Sequence, residues 1–199
     1  VEEKKETRIR TATRARILDA AEALFMRAGY EAVSLRDIGR AAGLRHASLY
    51  YYAPRGKAGL FEDVLVRYLD RHRAGLEGVI AAAGPGLRSQ LLAIVDWLHA
   101  EPPINLQRLL GEDVAALSRA RRQRLVDLSL DAMTGPIVAL LERTQLHGEV
   151  RVSDTGIAAM MLIVIAHSIR TLPGVPDSLQ RQIVTNAVDM MLNGWLARD

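Results

Sequence analysis

The 199-residue sequence contains no cysteine. Disulfides and thiolate zinc sites are therefore excluded, and a reducing cytoplasm is the expected setting. Long apolar runs are also missing. The longest, Gly156 to Ala166, falls far short of the roughly 20 residues that cross a bilayer, so no membrane partner is expected. The opening residues "VEEKKETRIR" are charged and lack an apolar core, so no signal peptide is expected there. Catalytic patterns are absent too: no His-Glu-x-x-His, no Gly-x-Ser-x-Gly, no Gly-rich phosphate loop and no Cys nucleophile. Gly56-Lys57 lacks the upstream Gly and the following Ser/Thr of a phosphate-binding loop, and the five histidines are dispersed. These absences point away from an enzyme and call for no cofactor and no metal.

What is present suits a compact protein that builds its own core, since 49% of the residues are hydrophobic and 25% charged. The net charge of +3 is unevenly spread. Residues 1–60 carry 12 Lys/Arg against 7 Asp/Glu, while the remainder carries 14 against 16. A basic segment on a slightly acidic body is the distribution expected if that segment alone meets phosphates; a solvated basic helix surface would look the same.

Apolar periodicity predicts helix almost throughout, about nine in all and no convincing strand pair. Ile9, Ile17, Ala20, Ala21, Leu24, Phe25 and Ala28 form one stripe on a helix that Gly29 ends. The preceding "KKETRIRTATR" reads as a basic arm, either solvated or touching DNA. Ser34 opens a second helix, with Asp37 placed for a weak form of capping box, and Leu35, Ile38, Ala41 and Ala42 inward. Gly43 ends it. A third short helix runs from Arg45 or His46 to Tyr52, anchored by Leu44 and Leu49. After Ala53-Pro54-Arg55-Gly56, a longer helix turns Leu60, Phe61, Val64, Leu65, Tyr68 and Leu69 inward. Further helices are expected over 87–100, 104–117, 118–148, 155–172 and 177–197, with Pro136 kinking the longest or dividing it in two.

Two short helices meeting at a tight glycine turn form a helix-turn-helix, and the small Ala41, Ala42 and Gly43 let them approach closely. In that motif the second helix enters the major groove, so Arg45, His46, Ala47 and Ser48 become the candidate base-reading residues. Tyr50, Tyr51 and Lys57 are candidate phosphate donors, joined by Ser34 and Arg36 from the first helix. A cation is unfavourable at a helix start, which favours a phosphate partner for Lys57. Tyr52 is expected to turn inward. Double-stranded operator DNA is thus the expected partner.

The stretch "ILDAAEALFMRAGYEAVSLRDIGRAAGL", the "SLYYY" helix and the Lys57–Leu60-Phe61 helix start together resemble the TetR/AcrR family of bacterial regulators. The resemblance covers about residues 11–65; beyond Tyr68 it lies in helix count and layout. Three positions depart from the family's habit. Arg45 stands where a capping Ser is common, Ala53 where Phe is common, and "PRGK" is one residue longer than the usual connector.

The resemblance implies an N-terminal helix-turn-helix domain over 1–55 and a larger ligand-binding and dimerisation domain over 56–199. It implies a pocket for a small, largely hydrophobic effector; lining candidates are Trp97, Asn105, Leu106, Leu109, Leu110, Met133, Met161, Ile165 and His167. It also implies a homodimer formed by the last two helices, with Met160, Ile163, Val164, Ile183, Val184, Ala187, Met190, Met191 and Trp195 as candidate contacts. Two recognition helices must meet successive major grooves about 34–36 Å apart, which is the mechanical reason to dimerise. A repressor released by its effector is the family default. The alternative is a helix-turn-helix regulator controlled by a protein partner or by no ligand.

Overall fold

The computed structural model describes residues 2–100, 118–170 and 173–195. Among them are eight α-helices: α1 (Glu2–Ala28), α2 (Leu35–Ala41), α3 (His46–Tyr52), α4 (Gly56–Ala82), α5 (Leu87–Ala100), α6 (Arg119–Leu146), α7 (Thr155–Arg170) and α8 (Asp177–Trp195). The expected helix over 104–117 lies outside the described residues, and so do the expected last residues of α7 and α8. α1 begins earlier than expected, because the helix continues through the basic arm.

The chain divides into two compact units, residues 1–69 with 104–128, and residues 70–103 with 129–199. Two of the boundaries, after residues 69 and 128, fall inside continuous helices, α4 and α6. In the first unit the core is Ile17, Ala21, Phe25, Ile38, Leu49, Leu60, Phe61, Val64 and Leu65. Phe25, Tyr30 and Phe61 form an aromatic knot with centroids 5.0–6.0 Å apart, which fastens the end of α1 to α4.

In the second unit α5, α7 and α8 pack on one another. α5 turns Leu87, Gln90, Leu91, Ile94, Val95 and Leu98 inward, an unbroken three-and-four spacing. Gln90 is buried but satisfied: its Nε2 donates to the Gly84 carbonyl (2.7 Å) and so closes the end of α4. Asp154 caps α7 as expected, accepting the Ile157 N–H at 2.8 Å. Pro136 neither divides α6 nor ends it. The proline removes one backbone donor, yet Ala132, Met133, Ile137, Leu140 and Leu141 are all buried around it, and that packing holds the helix together.

Candidate nucleic-acid interface

The α2–α3 corner is built by local chemistry. Ser34 is extended (φ −103°, ψ 157°) and caps α2 with a complete reciprocal box. The Asp37 N–H donates to Ser34 Oγ at 3.2 Å, and the Ser34 N–H donates to Asp37 Oδ2 at 3.2 Å. The Ser34 hydroxyl also donates to Asp37, at 2.5 Å. These bonds, the side-chain one foremost, hold the Asp37 carboxyl below the ordinary aspartate range. The box is fuller than the sequence reading allowed, and it occupies both donors of Ser34, which here serves the helix rather than offering an N–H or O–H outward.

Gly43, with φ +66°, then reverses the chain. The Leu44 N–H reaches Gly39 O (2.8 Å) and the Gly43 N–H reaches Arg40 O (3.2 Å), the paired bonds of a Schellman turn. A side chain at 43 would have to adopt a left-handed conformation that only glycine enters at little cost. Gly39 lies against Leu49 of α3: a Cβ there would sit 3.5 Å from Leu49 Cδ2, ordinary van der Waals contact.

α3 is seven residues long and hangs on Leu49, which is 0% exposed. Arg45 is its N-cap residue and makes no side-chain capping bond, so its guanidinium stays on the exposed side. Ser48, Tyr50 and Tyr51 are exposed. His46 and Ala47 occupy the first turn of the helix; their side chains lie outside the described set. Tyr52 is half-buried, as expected, with its ring edge-on to Tyr51 (5.1 Å, 87°). Ala53 is buried at the corner where the family often has Phe.

Ser34, Arg36, Tyr50 and Lys57 border one open depression of about 410 Å³ beside Glu31. Lys57 is more tied down than its sequence position implied. Its Nζ donates to Tyr30 O (3.0 Å), approaches Glu31 O (3.5 Å) and sits 4.2 Å over the Tyr30 ring. The ammonium thus pins the α1–α2 turn at the edge of the depression. One contributor was read in the sequence only as the last residue of the basic arm. Arg14 of α1 donates from Nη1 to Tyr52 O (3.0 Å) and pairs through Nη2 with Asp63 (2.8 Å). Partners 38 and 49 residues away leave no local signal.

In the second unit, Trp97 is half-buried and edge-on to His72, with centroids 4.8 Å apart. A Cβ on Gly75 would run into the Trp97 ring, so this glycine admits the indole. His72 is 5% exposed. Burial first, and the neighbouring His167 second, push its pKa down to about 4. His72 continues the inward row Leu65, Leu69, Leu76 and was readable only as part of that row. His167 is half-buried, its Nδ1 3.1 Å from Ile163 O. Met133 is buried and Ile165 half-buried. Met161, expected among the pocket residues, is 50% exposed. It lies on the outer stripe of α7 with Ile157, Met160 and Val164, because those positions recur every three or four residues. The pocket candidates Asn105, Leu106, Leu109 and Leu110 lie outside the described residues.

The expected dimer contacts divide in the same way. Met160, Val164, Ile183 and Met190 are exposed large apolar side chains, and Ile157 and Leu179 extend the set. Ala187, Met191 and Trp195 are half-buried. Ile163 and Val184, by contrast, face the core, at 4% and 0% exposure. α7 is apolar on nearly every side, so its sequence alone does not say which apolar residues turn inward.

Residues 17–64 match the family model for bacterial regulatory proteins of the tetR family. Over 83 residues the chain is 39% identical to the HTH-type transcriptional repressor ComR of Escherichia coli (strain K12), a match covering 42% of this chain and 38% of ComR. A protein from Mesorhizobium loti MAFF303099 described as a TetR-family transcriptional regulator shares the fold nearly end to end (TM-score 0.78, 16% identity, 94% of this chain and 98% of that one). Residues 17–64 thus carry the family's N-terminal region, and the matched stretch spans well under half of the curated relative. TetR proteins are DNA-binding transcriptional regulators rather than enzymes. The same all-helical fold is found in reduced NemR of E. coli (TM-score 0.71, 19% identity, 93% and 98% covered) and in GusR of Salmonella enterica (0.70, 22%, 93% and 95%). At those identities the likeness concerns fold alone. Among the described residues, no helix is long and apolar enough to cross a membrane.

Proposed function

We propose that the chain is a homodimeric repressor that binds operator DNA through α2 and α3 and leaves it when a small, largely hydrophobic effector enters the second unit. The observation that carries the DNA reading is the α2–α3 corner. A seven-residue helix, hung on one buried leucine, offers Ser48, Tyr50 and Tyr51 to solvent instead of to a core. Arg45, His46, Ala47 and Ser48 read base edges from the start of α3, and Arg36, Tyr50, Tyr51 and Lys57 meet phosphates. The tetR-family match over residues 17–64 and the similarity to the repressor ComR support repression. An aromatic wall of Trp97 and His72, with a glycine making room for it, supports an effector site of apolar character with few polar groups.

The test is binding of the purified protein to DNA flanking its own gene, with salt varied and then a panel of hydrophobic small molecules added. Salt-sensitive, sequence-specific binding released by one compound is expected. Specific binding released by none of them would replace the effector by a protein partner, and no sequence-specific binding to any selected duplex would end the DNA reading. Within that assay, Tyr50→Phe is expected to weaken every operator variant alike, by about three- to tenfold for one lost hydrogen bond. Ser48→Ala should instead change the ranking of base-pair variants. Equal losses on all variants for both substitutions would remove the division into positioning and reading residues.

The exposed stripe Ile157, Met160, Met161 and Val164 on α7, with Ile183 and Met190 on α8, supports a second copy of the chain as its cover. Val164→Glu puts a charge in the middle of that stripe and should yield monomers in sedimentation, with a loss of operator affinity. A dimer that persists unchanged would move the interface elsewhere.

A further inference from the structure

We infer that Glu62 and Asp63, adjacent carboxylates on α4, are positioning residues for DNA recognition: they gather Arg14, Arg55 and Arg121 into one array that fixes the end of the recognition helix and ties it to the start of α6. This inference rests on the reading of α3 as the DNA-reading element. Asp63 gives one oxygen to Arg14 Nη2 (2.8 Å) and the other to Arg55 Nη2 (2.5 Å). Glu62 gives one oxygen to Arg55 Nη1 (2.9 Å) and the other to Arg121 Nε (3.3 Å). Arg14 uses its remaining terminal nitrogen to donate to Tyr52 O (3.0 Å). The contacts therefore run without a gap from the last carbonyl of α3 through Arg14, Asp63, Arg55 and Glu62 to Arg121. All of these residues lie in one compact unit.

A lone exposed ion pair contributes little, but this array differs from one. The carboxylate side chains are largely covered, Glu62 12% and Asp63 26% exposed, and each bridges two guanidiniums. A Cβ at Gly59 would collide with Arg55, so α4 carries glycine inside a helix, an unfavourable choice for the helix itself, where Arg55 must fold back. α3 needs such a hold. It is seven residues long and its N-cap residue makes no side-chain bond, so Leu49 alone would leave its axis free to tilt. The Arg14 guanidinium supplies a second point, at the negative end of the helix. Tyr50 and Tyr51 lie on the turn so held.

Arg121 extends the array to α6. It stands among Arg119, Arg122 and Arg124 at the positive end of α6, where cations are disfavoured unless countered, and Glu62 counters it. From residue 129 onward the same helix belongs to the second unit. The Arg121–Glu62 contact joins the start of this helix to the array.

The test uses the full chain and a duplex that the wild-type protein selects from a random pool. Arg14 and Arg121 sit at opposite ends of the array and meet only through its other members. Arg14→Gln is expected to weaken binding about tenfold and Arg121→Gln about threefold, with the double variant near tenfold rather than the thirtyfold product, because the two act through one array. The Ala53 amide, which donates to Leu49 O at 2.9 Å, should exchange faster in Arg121→Gln than in the wild type while the thermal midpoint barely moves. Multiplicative losses together with unchanged exchange at Ala53 would overturn the array. If the wild type selects no duplex, the DNA reading falls, while the exchange measurement still decides whether Arg121 controls the end of α3. Arg121→Gln with the exchange readout is also sufficient by itself should Arg14→Gln fail to fold.

Discussion

Leu49→Ala is expected to abolish sequence-specific DNA binding by loosening the recognition helix from its unit. Leu49 is fully buried, it packs against α2 beside Gly39, and among the described side chains of α3 no other large one is buried. Truncating a buried leucine costs about 2–5 kcal/mol, from lost transfer free energy and the cavity left behind. Whole domains are stable by only about 5–15 kcal/mol, so the loss falls heavily on a short helix held at two points. The protein carries its own reporters for this. All five tyrosines lie at or before residue 68, in the first unit, and both tryptophans, Trp97 and Trp195, lie in the second. Urea unfolding followed by tyrosine signals should move to lower denaturant in Leu49→Ala, while the tryptophan transition stays near its wild-type midpoint. A variant that keeps both the tyrosine transition and operator affinity would show that α3 is anchored by something other than this leucine.

The second large effect is on pH. His72 is buried and its pKa is depressed to about 4, from an ordinary value of 6.5. The folded state therefore prefers the neutral ring. Its contribution is complete above the unfolded pKa of 6.5 and is lost as pH falls from there towards 4. The full loss is about 3 kcal/mol, with about 2 kcal/mol gone by pH 5. Protonated His72 would also face His167, so the charge gains nothing from its neighbour. Trp97 lies against the ring and reports the event directly. Between pH 7.5 and 4.5 the wild-type tryptophan midpoint should fall more steeply than that of His72→Phe, which keeps an aromatic ring and cannot titrate. Parallel curves for the two proteins would show that the acid sensitivity belongs to other groups.

The two effects differ in how far they could be foreseen. Leu49 was legible: it is the apolar residue in a short polar helix after a glycine turn, and the capping box and Schellman turn on either side of α2 are written in neighbouring residues. His72 was not, because a histidine in an apolar row reads equally well as a surface or a core group until its neighbours from α5 and α7 are known. The same limit explains the outer face of α7. In "GIAAMMLIVIA" nearly every position is apolar, so periodicity has no polar side to measure against. Met161 was expected in a pocket and Ile163 at an interface; Met161 lies on the surface and Ile163 in the core.

By itself the sequence determined the all-helical class and the helix-turn-helix, because these depend on residues within a turn or two of each other. Capping, glycine conformations and the spacing of apolar side chains act over 3.6-residue repeats and survive without any tertiary context. Only the tertiary structure decided which apolar faces turn inward, that Lys57 closes onto Tyr30, that His72 is buried against Trp97, and that five charged residues from α1, α4, α6 and the α3–α4 turn form one array. The physical reason is the same for all of them. A charge pair, a buried ring or a filled core position is a relation between side chains from separate helices, and the free energy that selects it arises only when those helices pack.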